Sequence, residues 1–301
     1  MRFVATLIGP VPGSLTEAHV NAARAALASL GAADTAPDWL SDAEAADLTF
    51  DDLDPDQADA AIRQALNGAA IDCIAQPVES RRKALLIADM ESTIIEQEML
   101  DEIADLKGIK PQIADITARA MNGEIDFVEA LNERVSLIAG LKESEIDALM
   151  HRVTFMPGAE ALVKTMRRAG ARTLLVSGGF TIFAERVGAT LGFDIVRANV
   201  LEFSGPAGQR VLTGKVVPPV RDRSDKLEQL MQHAGSYRIP LVETIAVGDG
   251  ANDVPMLQAA GLGVAFHAKP SVRQAVRARV DHAGLLALLF AQGYRLSEIV
   301  T

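Results

Sequence analysis

Cysteine is almost absent from this chain of 301 residues, and so is any long hydrophobic run. The single cysteine, Cys73, excludes an internal disulfide and a cysteine-rich zinc site. No apolar stretch approaches the roughly 18–20 residues that are needed to span a bilayer. The first 13 residues contain one arginine and a brief apolar run broken by Gly9-Pro10, unlike a signal peptide. We therefore expect a soluble, cytoplasmic protein.

Basic residues are in deficit, and the deficit is confined to one end of the chain. Lys and Arg number 29 against 40 Asp and Glu, and this net charge of -11 argues against nucleic acid or an anionic membrane as a partner. Residues 1–80 hold 13 acids and 3 bases, whereas residues 81–301 hold 27 acids and 26 bases. The acidity belongs to a first module, and the change of charge at Arg81-Arg82-Lys83 predicts a domain boundary there.

The hydrophobic pattern of the first 80 residues predicts a small α+β module. Two strand-like segments enclose two helix-like segments, which in chain order are residues 3–8, 15–30, 53–67 and 70–76. The acidic segment around Trp39, between the two helices, is interpreted as a loop. This order favours a small sheet with its helices on one face.

Longer structural units are predicted from Ala84 onward. Residues 84–88 form an uninterrupted apolar run that is typical of a buried parallel strand. Consecutive helices are predicted from about Ile94 to Met150, with breaks at 108–111, 122–123 and 140–142. Strands and helices then alternate over 173–176, 181–190, 224–233, 244–247, 254–260 and 263–266. We expect an α/β fold with a doubly wound parallel sheet, and a helical insertion at about 97–156 after its first strand.

Polar clusters occur at the predicted strand ends, where open α/β sheets bind ligands. Asp89-Met90-Glu91-Ser92-Thr93 follows the first strand, and its two acids project to the same side of an extended chain. One carboxylate can attack a phosphoryl group while the other transfers protons. Ser177-Gly178-Gly179 follows the next strand, where small residues let backbone N–H groups approach an anion. Taken alone, each cluster also fits an ordinary strand end or turn.

Two further clusters supply a cation and more carboxylates. Lys226 lies at the start of a predicted helix, where a positive charge is unfavourable against the helix dipole. Gly248-Asp249-Gly250-Ala251-Asn252-Asp253 follows a strand, and its two aspartates suit a hard divalent cation such as Mg²⁺. All four clusters together provide a nucleophile, an acid/base, anion donors, a cation and a metal site. Phosphoryl transfer needs this set of groups.

These four clusters, in this order, resemble the motifs of the haloacid dehalogenase (HAD) superfamily of phosphatases over about residues 84–282. The family motif Asp-x-Asp-x-Thr matches Asp89 to Thr93, and the serine, lysine and acidic motifs match the other three clusters. The resemblance implies that Asp89, Glu91 and Lys226 are catalytic. It further implies that Ser177, Gly178 and Asn252 bind the phosphoryl group or substrate, and that Asp89, Glu91, Asp249 and Asp253 surround Mg²⁺.

The helical insertion resembles the cap of the family members that act on phosphoserine. Glu98 matches the carboxylate that receives the substrate ammonium, and Arg134 matches the arginine that holds the substrate carboxylate. Met121 and Phe127 match apolar residues that close over the site. The resemblance therefore implies Mg²⁺-dependent hydrolysis of O-phospho-L-serine through an aspartyl-phosphate, the last step of L-serine biosynthesis.

Glu91 departs from the family pattern, which usually has a second aspartate at this position. A glutamic acid can still protonate the departing serine oxygen and later deprotonate water, but its side chain is one methylene longer. A free glutamate has a pKa of about 4.3, so its surroundings must hold Glu91 protonated if it is to act as an acid at neutral pH. The family's metal contact at this position is usually a backbone carbonyl, which the substitution preserves.

Alternatives to this function remain open on the sequence. In the first alternative, the chain is a relative that acts on another small phosphomonoester. In the second, it passes the phosphoryl group to an acceptor alcohol such as homoserine. A third alternative is a regulatory protein that senses serine or phosphoserine through its first module, with catalysis impaired by Glu91. Residues 1–80 resemble the ACT-like amino-acid-binding domains that precede some members of the family. The sequence leaves the oligomeric state open, and a homodimer is compatible with it.

Overall fold

The structure is a computed structural model that describes residues 1–121 and 124–301, except for the side chains of Met121 and Arg223. None of the helices in these residues has the length and apolar character needed to cross a membrane. The strands form two separate sheets, and the chain passes from the first to the second between Pro77 and Leu85.

The first sheet is antiparallel, and its strands are ordered β2-β3-β1-β4. Its elements in chain order are β1 Arg2–Ile8, α1 Glu17–Ser29, β2 Asp38–Ser41, β3 Ala45–Asp51, α2 Pro55–Leu66 and β4 Asp72–Pro77. Both helices cover one face of the sheet, where Leu7, Leu48 and Ile62 are fully buried. The opposite face packs against the rest of the chain, and its Ile8 and Ile74 belong to the large core there.

The acidic segment around Trp39 forms strands β2 and β3, so the prediction of a loop was wrong. Asp47 interrupts the apolar pattern of β3 in the sequence, although its side chain is only 5% exposed. The Arg81 guanidinium compensates this buried charge, with Nη1 at 2.6 Å from Asp47 Oδ2. A partner 34 residues away in the sequence therefore makes this strand possible.

The second sheet has the strand order β11-β10-β9-β5-β6-β7-β8, and it is parallel except for β8, which is antiparallel to β7. Its strands are β5 Leu85–Ala88, β6 Arg172–Phe180, β7 Ile195–Ser204, β8 Val211–Val217, β9 Thr244–Gly248, β10 Leu262–Phe266 and β11 Ala278–Val280. The helices between β5 and β6 are α3 Met99–Lys107, α4 Lys110–Met121, α5 Phe127–Leu137, α6 Glu143–Ala148 and α7 Ala159–Arg168. The later helices are α8 Thr181–Leu191, α9 Arg223–Tyr237, α10 Val254–Ala259, α11 Pro270–Ala275 and α12 Leu286–Ala291.

Both faces of the second sheet are covered by helices, as the continuous apolar run of β5 predicts. Leu86 and Ala88 face a core that includes residues of α7, α8 and α12. Leu85 and Ile87 face the opposite core, which includes residues of α9 and α10. The α/β fold with a parallel sheet and helices on both faces is therefore confirmed.

Helices α3 to α6, here called the cap, lie between β5 and α7. The first of them begins at Met99 and not near Ile94, because residues 94–98 form a non-helical linker that pairs with the return segment through Ile95 and Phe155. Helix α4 begins at Lys110, so Pro111 lies in its first turn, where a missing N–H group costs nothing. The predicted break at Asn122-Gly123 lies outside the described residues.

Strand β6 continues through Ser177-Gly178-Gly179 to Phe180, although the sequence predicts that it ends at Val176. The pairing of β6 with β7 shifts register between Val176 and Phe180, so this end is an irregular strand. Strands β7 and β8 were not predicted. Their alternating apolar residues are interrupted by polar residues such as Asn199, which is buried.

Gly263 in β10 offers a direct test of this packing. A β-carbon at Gly263 would lie 1.8 Å from the backbone oxygen of Leu257, which cannot move aside. We expect Gly263→Ala to lower the free energy of unfolding by about 3 kcal/mol, the upper end for overpacking. The matched control is Gly235→Ala in α9, where the new methyl group meets no atom within 4 Å. The control should stabilise the protein by about 0.5–1 kcal/mol in urea titrations, and equal stability of the two variants would contradict this packing.

Candidate active site

Asp89 and Lys226 form a buried charge cluster at the carboxyl end of the second sheet. Asp89 follows β5, and Lys226 lies near the start of α9. The Lys226 ammonium is 2.7 Å from Asp89 Oδ1 and 2.5 Å from Asp253 Oδ1, and its side chain is only 2% exposed. Burial by itself lowers the pKa of Lys226, but the two carboxylates outweigh burial and raise this pKa above its usual value. The lysine is therefore fully charged and held in place.

Three acidic side chains converge beside this lysine. Among the residues that the structure describes, one oxygen each of Asp89, Asp249 and Asp253 lie within 4.8 Å of one another. Burial, and then the charge of Asp253, raise the pKa of Asp249 to about 6. The same causes raise the pKa of Asp89 well above its usual value, against the opposing effect of Lys226. Three carboxylates with one ammonium carry excess negative charge, so this set of hard oxygen donors fits a divalent cation.

The Glu91 carboxylate faces the cap and is not one of these three. Its Oε1 accepts a hydrogen bond of 2.8 Å from the backbone N–H of Met99, the first residue of α3. Its other oxygen lies against Gly179, where a β-carbon would come within 2.6 Å of it. Burial, and then the charge of Glu98, raise the pKa of Glu91 to about 8. The surroundings thus favour the protonated acid near neutral pH, and any metal contact of Glu91 is left to its backbone carbonyl.

Ser177 and Gly178 lie on β6, the strand next to β5. The buried Ser177 hydroxyl accepts a hydrogen bond of 2.8 Å from the backbone N–H of Gly179. The carbonyl of Gly178 accepts a hydrogen bond of 2.8 Å from the side-chain amide of Asn199. The Asn199 carbonyl oxygen in turn accepts from the backbone N–H of Arg221 at 2.7 Å. Asn199 therefore holds the irregular end of β6 in place from the neighbouring strand.

The cap brings charged residues to the Glu91 side of the site. Glu98 is exposed, and its Oε1 accepts a hydrogen bond of 2.7 Å from the Ser92 hydroxyl. Burial lowers the pKa of Arg134, while the charges of Glu91, Asp101 and Glu98 act in the opposite direction. The Arg134 Nε donates a hydrogen bond of 3.2 Å to the carbonyl of Ala130 on its own helix. The cap and its linker therefore carry one cation, Arg134, and one anion, Glu98.

Two of the three remaining predicted residues, Phe127 and Asn252, lie beside glycines of the site. The Phe127 ring lies over Gly178, with Cζ at 3.7 Å from the position of a β-carbon on that glycine. Asn252 is half-buried directly before Asp253, and its side chain folds back toward Gly250. The side chain of Met121 lies outside the described part of the chain.

Sequence reasoning missed groups that position the predicted residues. Ser92 has a φ of +54°, in the left-handed region, and from there its hydroxyl reaches Glu98. Asn199 is 1% exposed and lies on a strand that was not predicted. Asn199 could have been noticed in the sequence as an amide side chain among apolar residues. Such an amide is expected to be buried, and a buried amide needs hydrogen-bond partners. The backbone N–H of Met99 left no signal, because main-chain groups occur at every position.

Comparison with known proteins identifies the family. The model of the haloacid dehalogenase-like hydrolase family matches residues 86–258, more than half of the chain. A phosphoserine phosphatase of Idiomarina loihiensis is 46% identical over 205 residues, which cover 68% of this chain and 91% of that protein. Phosphoserine phosphatase SerB2 of Mycobacterium tuberculosis is 42% identical over 219 residues, or 73% of this chain. The match spans about half (53%) of that longer relative.

Solved structures of the same family resemble this chain in fold. A HAD family hydrolase from Salmonella enterica serovar Typhi has a TM-score of 0.85 at 28% identity, covering 98% of this chain and 99% of its own. A phosphoserine phosphatase solved as a phospho-aspartyl intermediate analogue has a TM-score of 0.63 at 35% identity, covering 69% of this chain and 98% of its own. The chain therefore belongs to the haloacid dehalogenase-like hydrolases and, within them, to the phosphoserine phosphatase family.

Proposed function

We propose that the protein hydrolyses O-phospho-L-serine to L-serine and phosphate, the last step of L-serine biosynthesis, with Asp89 as the nucleophile. The observation that carries this proposal is the contact of the Lys226 ammonium with Asp89 and Asp253, at 2.7 and 2.5 Å, beside the Asp249 carboxylate. This arrangement combines a nucleophile with positive charge and metal ligands. Phosphoryl transfer depends mainly on such positioning and charge neutralisation.

The reaction proceeds in two steps that use Asp89 and Glu91. An Asp89 oxygen attacks phosphorus and forms an aspartyl-phosphate, while the bond between phosphorus and the serine oxygen breaks. Glu91 gives its proton to the departing oxygen, for which its raised pKa of about 8 is suited. A water molecule then attacks phosphorus and loses a proton to the Glu91 carboxylate, which releases phosphate and regenerates Asp89.

Phosphoryl oxygens are bound by groups at the ends of β6 and β9 and at the start of α9. Lys226 supplies a full positive charge, and the Ser177 hydroxyl and the backbone N–H of Gly178 supply hydrogen bonds. Asn252, beside Asp253, contributes a further polar contact to the phosphoryl group or substrate. When bound, Mg²⁺ would supply positive charge that offsets the negative charge of the phosphoryl group. Asp89, Asp249 and Asp253, with the backbone carbonyl of Glu91, would hold this ion, and the approach of one oxygen from each of the three carboxylates to within 4.8 Å of one another supports the fit.

The cap selects the amino acid part of the substrate. Arg134 binds the substrate carboxylate, and Glu98, fixed by Ser92, binds the ammonium group. Phe127, above Gly178, and Met121 exclude water while the cap is closed. Because these groups lie on α4, on α5 or on the linker before α3, the cap must open for the product to leave.

The organisation of the chain is part of the proposal. We place an ACT-like module at residues 1–80 and the phosphatase body at 81–301, with the cap inserted at about 97–156. The order strand–helix–strand–strand–helix–strand and the helices on one face of the first sheet support the ACT-like assignment. A reducing compartment such as the cytoplasm suits a chain with a single, buried cysteine, and a homodimer is compatible with this organisation.

Asp89→Asn tests the nucleophile. The amide keeps the shape of the side chain but cannot attack phosphorus, so we expect kcat for phosphate release from L-phosphoserine to fall by on the order of a thousandfold or more. Asp115→Asn, the same change at an exposed position of α4, is the control and should leave kcat unaltered. A substantial residual rate in Asp89→Asn would rule out the covalent mechanism.

Substitutions of Glu91 test the proton transfer. Glu91→Gln cannot transfer a proton and should lower kcat by about 10²–10⁴-fold. Glu91→Asp keeps the acid but withdraws it from the Met99 N–H and the space above Gly179, and this displacement should cost on the order of a hundredfold. We expect kcat to be highest in the wild type, lower in Glu91→Asp and lowest in Glu91→Gln. If the wild type is silent and Glu91→Asp is active, the chain is a sensor with impaired catalysis.

A substrate panel tests the selectivity of the cap. Arg134→Met should raise KM for L-phosphoserine by about 10–100-fold, because a charged hydrogen bond is lost, but should hardly change KM for phosphoethanolamine, which lacks the carboxylate. Glu98→Gln should raise KM for L-phosphoserine and not for phosphoglycolate, which lacks the ammonium. An equal increase in KM for all of these substrates would contradict the assignments of Arg134 and Glu98. If the wild type does not prefer L-phosphoserine, or transfers phosphate to homoserine in preference to water, the proposed substrate reaction is wrong.

A further inference from the structure

Residues 281–285, here called the junction loop, belong to the phosphatase body and contact the first module. Asp72, the first residue of β4, is fully buried. Its carboxylate accepts hydrogen bonds from the consecutive backbone N–H groups of Asp281, His282 and Ala283 at 2.8, 3.1 and 2.8 Å. A buried charge with three N–H partners is a well-satisfied interaction, and it crosses from one sheet to the other.

The junction loop also contacts the segment that follows β10. The His267 side chain donates through Nε2 to the carbonyl of Ala283 at 2.9 Å, and the His267 backbone N–H donates to the carbonyl of Val280 at 2.8 Å. Two residues further on, the backbone N–H of Lys269 donates to the carbonyl of Asp249 at 3.3 Å. Hydrogen bonds, joined by the short backbone segment from His267 to Lys269, therefore lead from Asp72 to the main-chain carbonyl of Asp249.

The other end of the loop is attached to the segment that follows the cap. The backbone N–H of Leu285 donates to the carbonyl of Pro157 at 2.7 Å. Pro157 follows the return linker of the cap, where the N–H of Met156 donates to the carbonyl of Ile94. The junction loop is thus held on three sides, and Asp72 supplies the side that comes from the first module.

We propose that Asp72 is a positioning residue for the metal site: through the junction loop and His267 it holds the backbone of Asp249 in the geometry that binds Mg²⁺. The first module is then a structural part of the active site and not only a separable binding unit. This inference rests on the proposed Mg²⁺ site, but it does not depend on which phosphate ester is the substrate.

Calorimetric titration of the full-length protein with Mg²⁺, without substrate, tests this role. Asp72→Asn keeps the size of the side chain but replaces one acceptor with a donor that faces N–H groups. We expect the dissociation constant for Mg²⁺ to rise by about tenfold, within the usual range of coupling between sites. The control is Asp38→Asn, which removes an exposed ion pair between the first module and Arg295, away from the junction loop. This variant should change the constant by less than about twofold.

A double-mutant cycle separates this connection from general weakening of the interface. His267→Ala breaks the contact between the junction loop and the segment that leads to Asp249. Adding Asp72→Asn to His267→Ala should then cause little further loss of Mg²⁺ affinity, because both changes act on one path. Fully additive losses, or an Asp72→Asn variant no weaker than Asp38→Asn, would overturn the proposal.

Hydrogen exchange on the wild type gives a test that needs no variant to fold. Coupling is reciprocal, so Mg²⁺ should slow exchange of the amides of residues 281–283. Exchange there that is unaffected by saturating Mg²⁺ would overturn the proposal. If the wild type binds no Mg²⁺, both this inference and the proposed metal site are wrong. If it binds Mg²⁺ but does not prefer L-phosphoserine, only the proposed substrate is wrong.

Discussion

A lysine that is only 2% exposed has to be paired, and the pairing of Lys226 with Asp89 and Asp253 constrains the whole active site. Breaking a buried pair typically destabilises a protein by about 3–5 kcal/mol, because a charge is left uncompensated. The ends of β5 and β9 and the start of α9 must therefore meet where these three groups are in contact. The same requirement brings in Asp249, so the excess negative charge that suits a divalent cation accompanies the ion pairs.

The two halves of the proposed chemistry are divided between the sheet and the cap. Groups that act on the phosphoryl group lie at the ends of strands of the second sheet or at the start of α9, whereas Glu98, Phe127 and Arg134 come from the cap or its linker. Glu91 lies at the boundary, because it follows β5 and accepts a hydrogen bond from the first residue of α3. The extra methylene of glutamate spans this boundary, and Gly179 provides the space for it. In the proposed mechanism, opening of the cap therefore withdraws a hydrogen-bond donor from Glu91.

Sequence patterns predicted the features that depend on local chemistry. The apolar run of β5, the helical insertion and the clusters at Asp89, Ser177 and Asp249 were recognisable because each repeats a known relation between residue type and strand end. Predictions failed where a distant partner changes the meaning of a residue. Asp47 is compatible with β3 because Arg81 neutralises it and the Thr6 hydroxyl donates a hydrogen bond to it. Asn199 is compatible with β7 because Gly178 and Arg221 satisfy its amide. The contacts of Asp72 with the junction loop could not be predicted, because its partners are main-chain groups.

A crystal structure of the protein with Mg²⁺ and beryllium trifluoride, a mimic of a phosphoryl group on a carboxylate, tests the central claim most directly. We expect beryllium on an Asp89 oxygen, with Lys226 and Ser177 in contact with fluorine and Mg²⁺ among Asp89, Asp249 and Asp253. The Glu91 carboxyl group should lie on the side opposite the Asp89–beryllium bond, within hydrogen-bond reach of the position of the leaving oxygen. Beryllium trifluoride on another side chain, or a Glu91 carboxyl group that cannot reach this position, would contradict the mechanism.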